Sequence, residues 1–481
     1  MRIQINNFGP IQKMDLDLNN QLTIIYGKNS IGKSYSMTLA YLIIKNLMKF
    51  RYNYQSFYNP LYNFFESYQI KDNELQNLKE LHKNKNVTDE LKSIVLEFLN
   101  NTLALELTKS LKNSFGDLSD FNNAKINMIL DLKESPVKAR AVSEQCEKIE
   151  LEFTISESKI RFNNLNLDAE IIYTFNSSNK MNGSFRWFEK TITFEKTDFN
   201  GNIYQDLEGI VYFLLNSLIN SLTDKFNDQY FFIPASRSGL YFGLKNFNSI
   251  FLKISQNKDQ FPEGVPLQDI TEPASDFYLN LTKINKISKN KEFLKISSLF
   301  EERILNGNLS YNVQDNNILY KDNDSNKLID LENSSSMIAE ISLLTVFFKY
   351  IINKGDVKYK GTSPIIFIEE PEAHLHPEKQ IEIAEILAEI IKISNIKIVI
   401  SSHSNYIFNK LNNLILNKKI DFKDYNAYIM KKEQKGSVTS LLEIDEMGVD
   451  DENFSDVSEY LYNERLEIIE EINNHNESEN D

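Results

Sequence analysis

The chain has one cysteine, Cys146, and one tryptophan in 481 residues. A lone cysteine excludes an intramolecular disulfide framework and a cysteine-built zinc cluster, and it fits a reducing compartment. No stretch reaches 18 consecutive apolar residues, and the opening MRIQINNFGP lacks the charged start, apolar segment and small-residue site of a secretory leader. The expectation is a soluble, cytoplasmic protein without a membrane span. Glycine (15) and proline (10) are sparse, and neither a fixed-period repeat nor a low-complexity linker occurs. Positive charge is also in deficit, 53 basic against 68 acidic residues for a net charge of -15. The deficit is local: residues 443–481 hold fifteen acids against Arg465 alone, so the body is nearly neutral and its global charge neither favours nor forbids nucleic-acid binding. What remains is apolar mass, 41% of the chain, enough for two or three cores and incompatible with a disordered class.

The opening alternates with period two over residues 2–6 and 14–18, turns at Phe8-Gly9-Pro10, and runs into an apolar strand over 22–26. The spacing of Met37, Leu39, Ala40, Leu42, Ile43 and Leu47 predicts a largely buried helix over 34–47, and 55–135 continues in helical periods. Period two returns over 148–196, a helix is expected over 205–222 and a short strand over 230–233, and a second helical module covers 242–305. A hairpin over 309–331, an apolar helix over 337–352, a strand over 365–368, a helix opened by Pro377 and a strand over 396–400 complete an alternation that implies a parallel α/β core. Two further strands, over 427–431 and 438–444, precede a tail helix with Val457, Leu461, Ile468 and Ile472 on one face. That acidic tail reads either as a solvated end or as a docking segment for another protein.

Gly27-Lys28-Asn29-Ser30-Ile31-Gly32-Lys33-Ser34 matches GxxxxGK[ST] after a strand and at the start of a helix, which is the context the motif requires. For this composition a chance match has a frequency of roughly 0.005 per chain. The glycines let backbone N–H groups turn toward phosphate oxygens, Lys33 reaches the β and γ phosphates of ATP, and Ser34 ligates Mg²⁺. Ile365-Ile366-Phe367-Ile368-Glu369-Glu370-Pro371 sets two carboxylates at the C-terminal edge of a strand, where parallel sheets bind ligands. Glu369 is the candidate Mg²⁺ partner and Glu370 the candidate base for the attacking water. His403, ending the next strand, either bonds the γ-phosphate or the water, or is structural. His374 and His376, with Glu370 and Glu372, raise a zinc reading that lacks a third well-spaced histidine. Ser334, Ser335 and Ser336 precede a helix, as an anion-binding end or as plain N-capping.

In their order these stations resemble the ATP-binding-cassette branch of P-loop ATPases, within its RecF, SMC and OLD-like group. The likeness covers 1–40 and 325–435 and is carried by Phe8-Gly9-Pro10-Ile11, the phosphate loop, EEPEAHLHP and SSHSNYI. The resemblance implies an ABC-ATPase head: an α/β fold with a mixed sheet, an antiparallel β part and two helical insertions. Its segments would be 1–54, 55–147 (helical), 148–240, 241–307 (helical), 308–446 and an acidic tail at 447–481. It also implies a homodimer or higher homo-oligomer around sandwiched ATP, in which the serine run occupies the signature position without that motif's paired glycines. Tyr230 to Gly239, YFFIPASRSG, is similar to a segment of this group, and the resemblance implies that Arg237 couples nucleotide to the arms. No long heptad arms appear, and with 78 residues after His403 the expectation is a stand-alone ATPase without the TOPRIM nuclease of OLD proteins. Stand-alone members of this branch serve in bacterial anti-phage defence, as in Septu-type and PARIS-type systems, beside a separate effector. The competing expectation is a RecF- or SMC-like DNA-repair or clamp ATPase with a basic groove; a transporter subunit and a non-hydrolysing scaffold fit less well.

Overall fold

The computed structural model describes residues 1–52, 85–86, 88–131, 148–167, 171–174, 182–187, 190–195, 211, 215, 218–223, 225–245, 270–284, 291–312, 317–352, 363–446, 448–449 and 464–466. Of the expected tail helix only 464–466 are described, and they are helical; Cys146 lies outside the described residues, as do 55–84 and 132–147 of the first expected insertion and 246–269 of the second.

The N-terminal alternation folds as β1 (Arg2–Phe8) and β2 (Ile11–Asp17), whose hairpin turns at Gly9 with φ 53° and delivers the apolar strand β3 (Leu22–Gly27). A 20-residue helix, α1 (Lys33–Tyr52), follows the glycine loop. The strand β4 (Lys85–Asn86) and the helices α2 (Thr88–Asn101) and α3 (Leu103–Phe115) come next, then β5 (Lys125–Asp131), β6 (Lys148–Ser156) and β7 (Lys159–Leu167). Strands β8 (Ile171–Thr174), β9 (Asn182–Trp187) and β10 (Lys190–Glu195) form a separate four-stranded sheet with β4, in the order β10-β9-β8-β4. Beyond β11 (Phe226–Ile233) lie α4 (Glu272–Thr282), α5 (Lys291–Phe300) and a three-stranded sheet of β12 (Gly307–Asn312), β13 (Asn317–Asp322) and β14 (Leu328–Asp330). The rest runs α6 (Ser336–Val346), β15 (Ser363–Glu369), α7 (Pro377–Ile393), β16 (Lys397–Ser402), α8 (Asn405–Leu416), β17 (Tyr425–Glu433) and β18 (Gly436–Leu441).

One 11-stranded sheet, ordered β11-β15-β16-β3-β17-β18-β2-β1-β5-β6-β7, organises the molecule. Its first five strands are parallel, and the β17–β18 hairpin turns it toward the antiparallel half. Both faces are covered, so the parallel strands read as continuous apolar runs. Along β15, Ile365 and Phe367 enter one core with α1, α2 and α3, while Ile366 and Ile368 enter a second core with α4, α5, α6, α7 and α8. The α/β architecture with a mixed sheet is thus the one expected.

One expectation needs correction. Residues 125–131, read as helical, are a strand between β1 and β6, because Ile126, Met128 and Leu130 bury with period two. The helices over 88–115 pack as a layer against α1, with Leu91, Ile94, Phe98, Leu107 and Leu111 in the same core. They also guard the sheet. The Asn100 side chain accepts from Phe162 N at 2.7 Å and donates to Phe162 O at 3.0 Å, and Thr108 Oγ1 accepts from Ile160 N at 3.0 Å, covering the edge of β7.

Candidate nucleotide site

The loop from Gly27 to Ser34 leaves the C-terminal end of β3 at the point where the sheet order reverses, with β16 on one side and β17 on the other. That edge is where open α/β sheets bind ligands. Gly27 has φ 147°, and a Cβ there would stand 2.6 Å from both Ile31 Cδ1 and Met430 O. Gly32, at φ 108°, lies against Pro10, which explains the Phe8-Gly9-Pro10 turn: it buttresses the loop from the neighbouring hairpin. Lys28, Asn29, Ser30 and Ser34 are exposed, whereas Lys33 is buried. Its ammonium donates to Gly27 O and Lys28 O, both at 2.7 Å, and to His403 Nδ1 at 3.2 Å. Burial pushes it down to about 8, against the pull of Glu370, Glu372 and Glu369. A loop closed by two glycines that leave no room for a Cβ, the exposed residues Lys28, Asn29 and Ser30, and a desolvated ammonium held by oxygen acceptors together fit a polyphosphate.

Sheet register brings the remaining groups to this loop. Glu369 is level with Ser401, and Ser402 with Tyr26, so the residues just past β15 and β16 meet beside Gly27. Burial pushes the Glu369 carboxyl up, although Ser34 and Ala235 N donate to it, the latter at 3.3 Å. Glu370 is half-buried and takes φ 42°, its N–H donating to Ser401 O at 3.0 Å. His403 Nε2 lies 2.8 Å from Glu370 Oε1, and this contact holds the carboxyl below its ordinary value. An ammonium can only donate, so His403 Nδ1 accepts from Lys33 and the ring proton sits on Nε2, directed at Glu370.

Three further residues shape the site without having been singled out for it by sequence reasoning, or only in passing. Glu372, raised for zinc, instead accepts at one oxygen from Ser402 Oγ and His403 N, both at 2.7 Å, and fixes the backbone that carries the histidine. Arg237 is fully buried beside Glu369 and Glu370, and Glu340 of α6 pairs with it at 3.0 Å. Of these, Arg237 carried a signal in its place after an apolar strand and Glu372 in its place within EEPEAHLHP; Glu340 sits in an apolar helix with none.

The serine run is placed otherwise. Ser335 caps α6 by accepting from Ile338 N at 3.4 Å, and Ser334 donates to Leu331 O at 2.7 Å, so both bond within their own segment. Ser335 and Ser336 are exposed. His374 and His376 are exposed as well, and among the described residues no three His, Cys, Asp or Glu are grouped to hold a metal by themselves. Ser34 and Glu369 suit Mg²⁺, which takes one or two protein groups plus phosphate oxygens and water.

A model of the AAA ATPase domain family matches residues 1–408, a span that includes the glycine loop, both carboxylates and His403. The chain belongs to this AAA ATPase domain family. Among solved structures, an Smc head bound to the C-terminal winged-helix domain of ScpA is similar to the AAA ATPase domain chain at 12% identity, covering 92% of this chain and 97% of that one with a TM-score of 0.38. An Smc head with an extended coiled coil bound to the C-terminal domain of ScpA derived from Pyrococcus furiosus shares 13% identity over 98% of each chain, with a TM-score of 0.35. An SMC head domain from Thermotoga maritima shares 9% identity over 92% of this chain and 98% of that one, with a TM-score of 0.32. No curated protein matches the sequence. Among the described residues of this AAA ATPase, no helix is long and apolar enough to cross a membrane.

Proposed function

We propose that the chain is a Mg²⁺-dependent ATP hydrolase whose nucleotide cycle governs a homodimer and, through it, a separate effector protein in bacterial anti-phage defence. The observation that carries the hydrolase reading is the bonded chain from Lys33 through His403 to Glu370, which closes the phosphate loop onto a carboxylate. Lys33 would exchange its carbonyl partners for phosphate oxygens, and Ser34 with Glu369 would hold the metal. Bound Mg²⁺ and triphosphate supply charge neutralisation and the electrophilic γ-phosphorus. Glu370, kept ionised by the Nε2 proton of His403, takes the proton of the attacking water on a carboxylate oxygen. The defence role rests on the sequence resemblance alone. Phosphate release by the purified chain with Mg²⁺, with EDTA, and after Lys33→Met tests the hydrolase reading; activity that survives EDTA or Lys33→Met overturns it.

One observation favours a second reading, a DNA-acting ATPase of RecF or SMC type. An open groove of about 1120 Å³ between α2, α3 and β7 is lined by Lys109, Lys112, Lys159 and Arg161, against Glu97 and Glu157. Such a cluster suits backbone phosphates, and its binding would weaken steeply with salt. Duplex DNA that raises ATP turnover at low salt, with the gain lost in Lys109→Glu with Lys159→Glu, would favour this reading over the effector-linked one.

A further inference from the structure

We infer that Arg237 is a positioning residue that clamps the Glu369–Glu370 backbone to α6, the helix beginning at the serine run, so that the carboxylate pair and this helix move as one. Its kinetic consequence rests on the hydrolase reading above; its structural consequence does not.

The guanidinium is fully buried and spends its donors on three segments. Nε donates to Glu340 O at 3.0 Å and pairs with Glu340 Oε2 at 3.0 Å, both on α6. Nη1 donates to Pro234 O and Glu369 O, each at 3.1 Å, and Nη2 reaches Glu370 O at 3.5 Å. Glu340 answers from its other oxygen, which accepts from Ser238 N at 3.2 Å and from the Ser238 hydroxyl. The end of β11, the end of β15 and the start of α6 thus share one cation. These partners are backbone carbonyls and one carboxylate, so the arginine acts on the site through the chain and not by touching a phosphate.

The clamp also accounts for a strained residue. Glu370 sits at φ 42°, a region few non-glycine residues occupy without surrounding support. Its N–H is tied to Ser401 O at 3.0 Å, and its carbonyl faces Arg237. With both ends of the residue held, its carboxylate is aimed at His403 Nε2. A lysine offers a single point of charge in place of a planar fork and cannot serve Glu340, Pro234 and Glu369 together.

The experiment compares hydrogen exchange in the nucleotide-free protein for wild type and Arg237→Lys. Amides in residues 365–375 and 334–345 are expected to exchange about 10-fold faster in the variant, with residues 2–17 unchanged. Faster exchange in only one of the two segments, or in neither, overturns the clamp. Should Arg237→Lys fail to fold, Arg237→Met with Glu340→Gln removes both charges together and is read the same way. In turnover, Arg237→Lys should lower kcat about 10-fold or more with KM within about 3-fold, and adding Glu370→Gln should bring no multiplied loss, because both changes act through one carboxylate. Multiplied losses, or a KM effect alone, overturn the positioning role. A wild type without any turnover overturns the hydrolase reading and leaves the exchange comparison to decide the clamp.

Discussion

At Glu370 the backbone strain, the Ser401 and Arg237 contacts and the His403 hydrogen bond all serve one orientation of one carboxylate. Glu370→Gln keeps the shape and loses the basicity. The expected outcome is ATP-analogue affinity within about 3-fold of wild type, read by fluorescence, and phosphate release lower by on the order of 10²-fold or more. Glu372 works one step further out. Glu372→Ala leaves the Ser402 hydroxyl and His403 N–H without an acceptor in a buried site, at about 2 kcal/mol of stability measured by denaturant unfolding. It also frees the histidine backbone, so turnover is expected to fall more than nucleotide affinity does.

At the level of elements, α1 carries the phosphate loop at one end and is fastened to α4 in its middle. Lys45 is buried and pairs with Glu272 at 2.6 Å and with Asp276, which also accepts from Tyr41 OH at 2.7 Å. Burial pushes the Glu272 carboxyl up, but the hydrogen bond and charge of Lys45 more than reverse this and leave it below its ordinary 4.5. The folded state therefore holds this proton less tightly than the unfolded state, so the stability involved is present above about pH 4.5 and fades as pH falls through the lower folded value. Thermal unfolding of Glu272→Gln is expected to lie below wild type at pH 7, with the gap constant down to about pH 4.5 and closing only as pH falls below it. Elements whose signal is local were legible in the sequence: the glycine loop, the two apolar strands that end in Glu369 and near His403, and the Ser335 cap. Strand β5 was not, because its seven residues sit between helical periods and its partners, β1 and β6, are distant. Nor was the Arg237–Glu340 pair, whose members are 103 positions apart and meet only when β11 and α6 are packed.

For the whole molecule, the proposed homodimer would place the exposed serine cap of one copy against the exposed phosphate loop of the other. Ser335→Arg in a Glu370→Gln background is expected to abolish ATP-stabilised dimers in light scattering, while analogue binding to the monomer persists; unchanged dimers would remove the serine run from the assembly. The strand order has a consequence of another kind. Ile24, on the fourth of the eleven strands, lies between Ile400 and Ala427. At about 5–20 residues per second, a ribosome releases those neighbours on the order of 20–80 s after β3 itself. Until then Leu22, Ile24 and Ile25 are an apolar strand with both edges bare, so the growing chain invites chaperones and premature pairing with other nascent chains. Competence to bind ATP should arrive late and abruptly during translation. Chains stalled with residue 416 clear of the exit tunnel are expected to miss ATP-agarose, and chains stalled with residue 446 clear are expected to be retained.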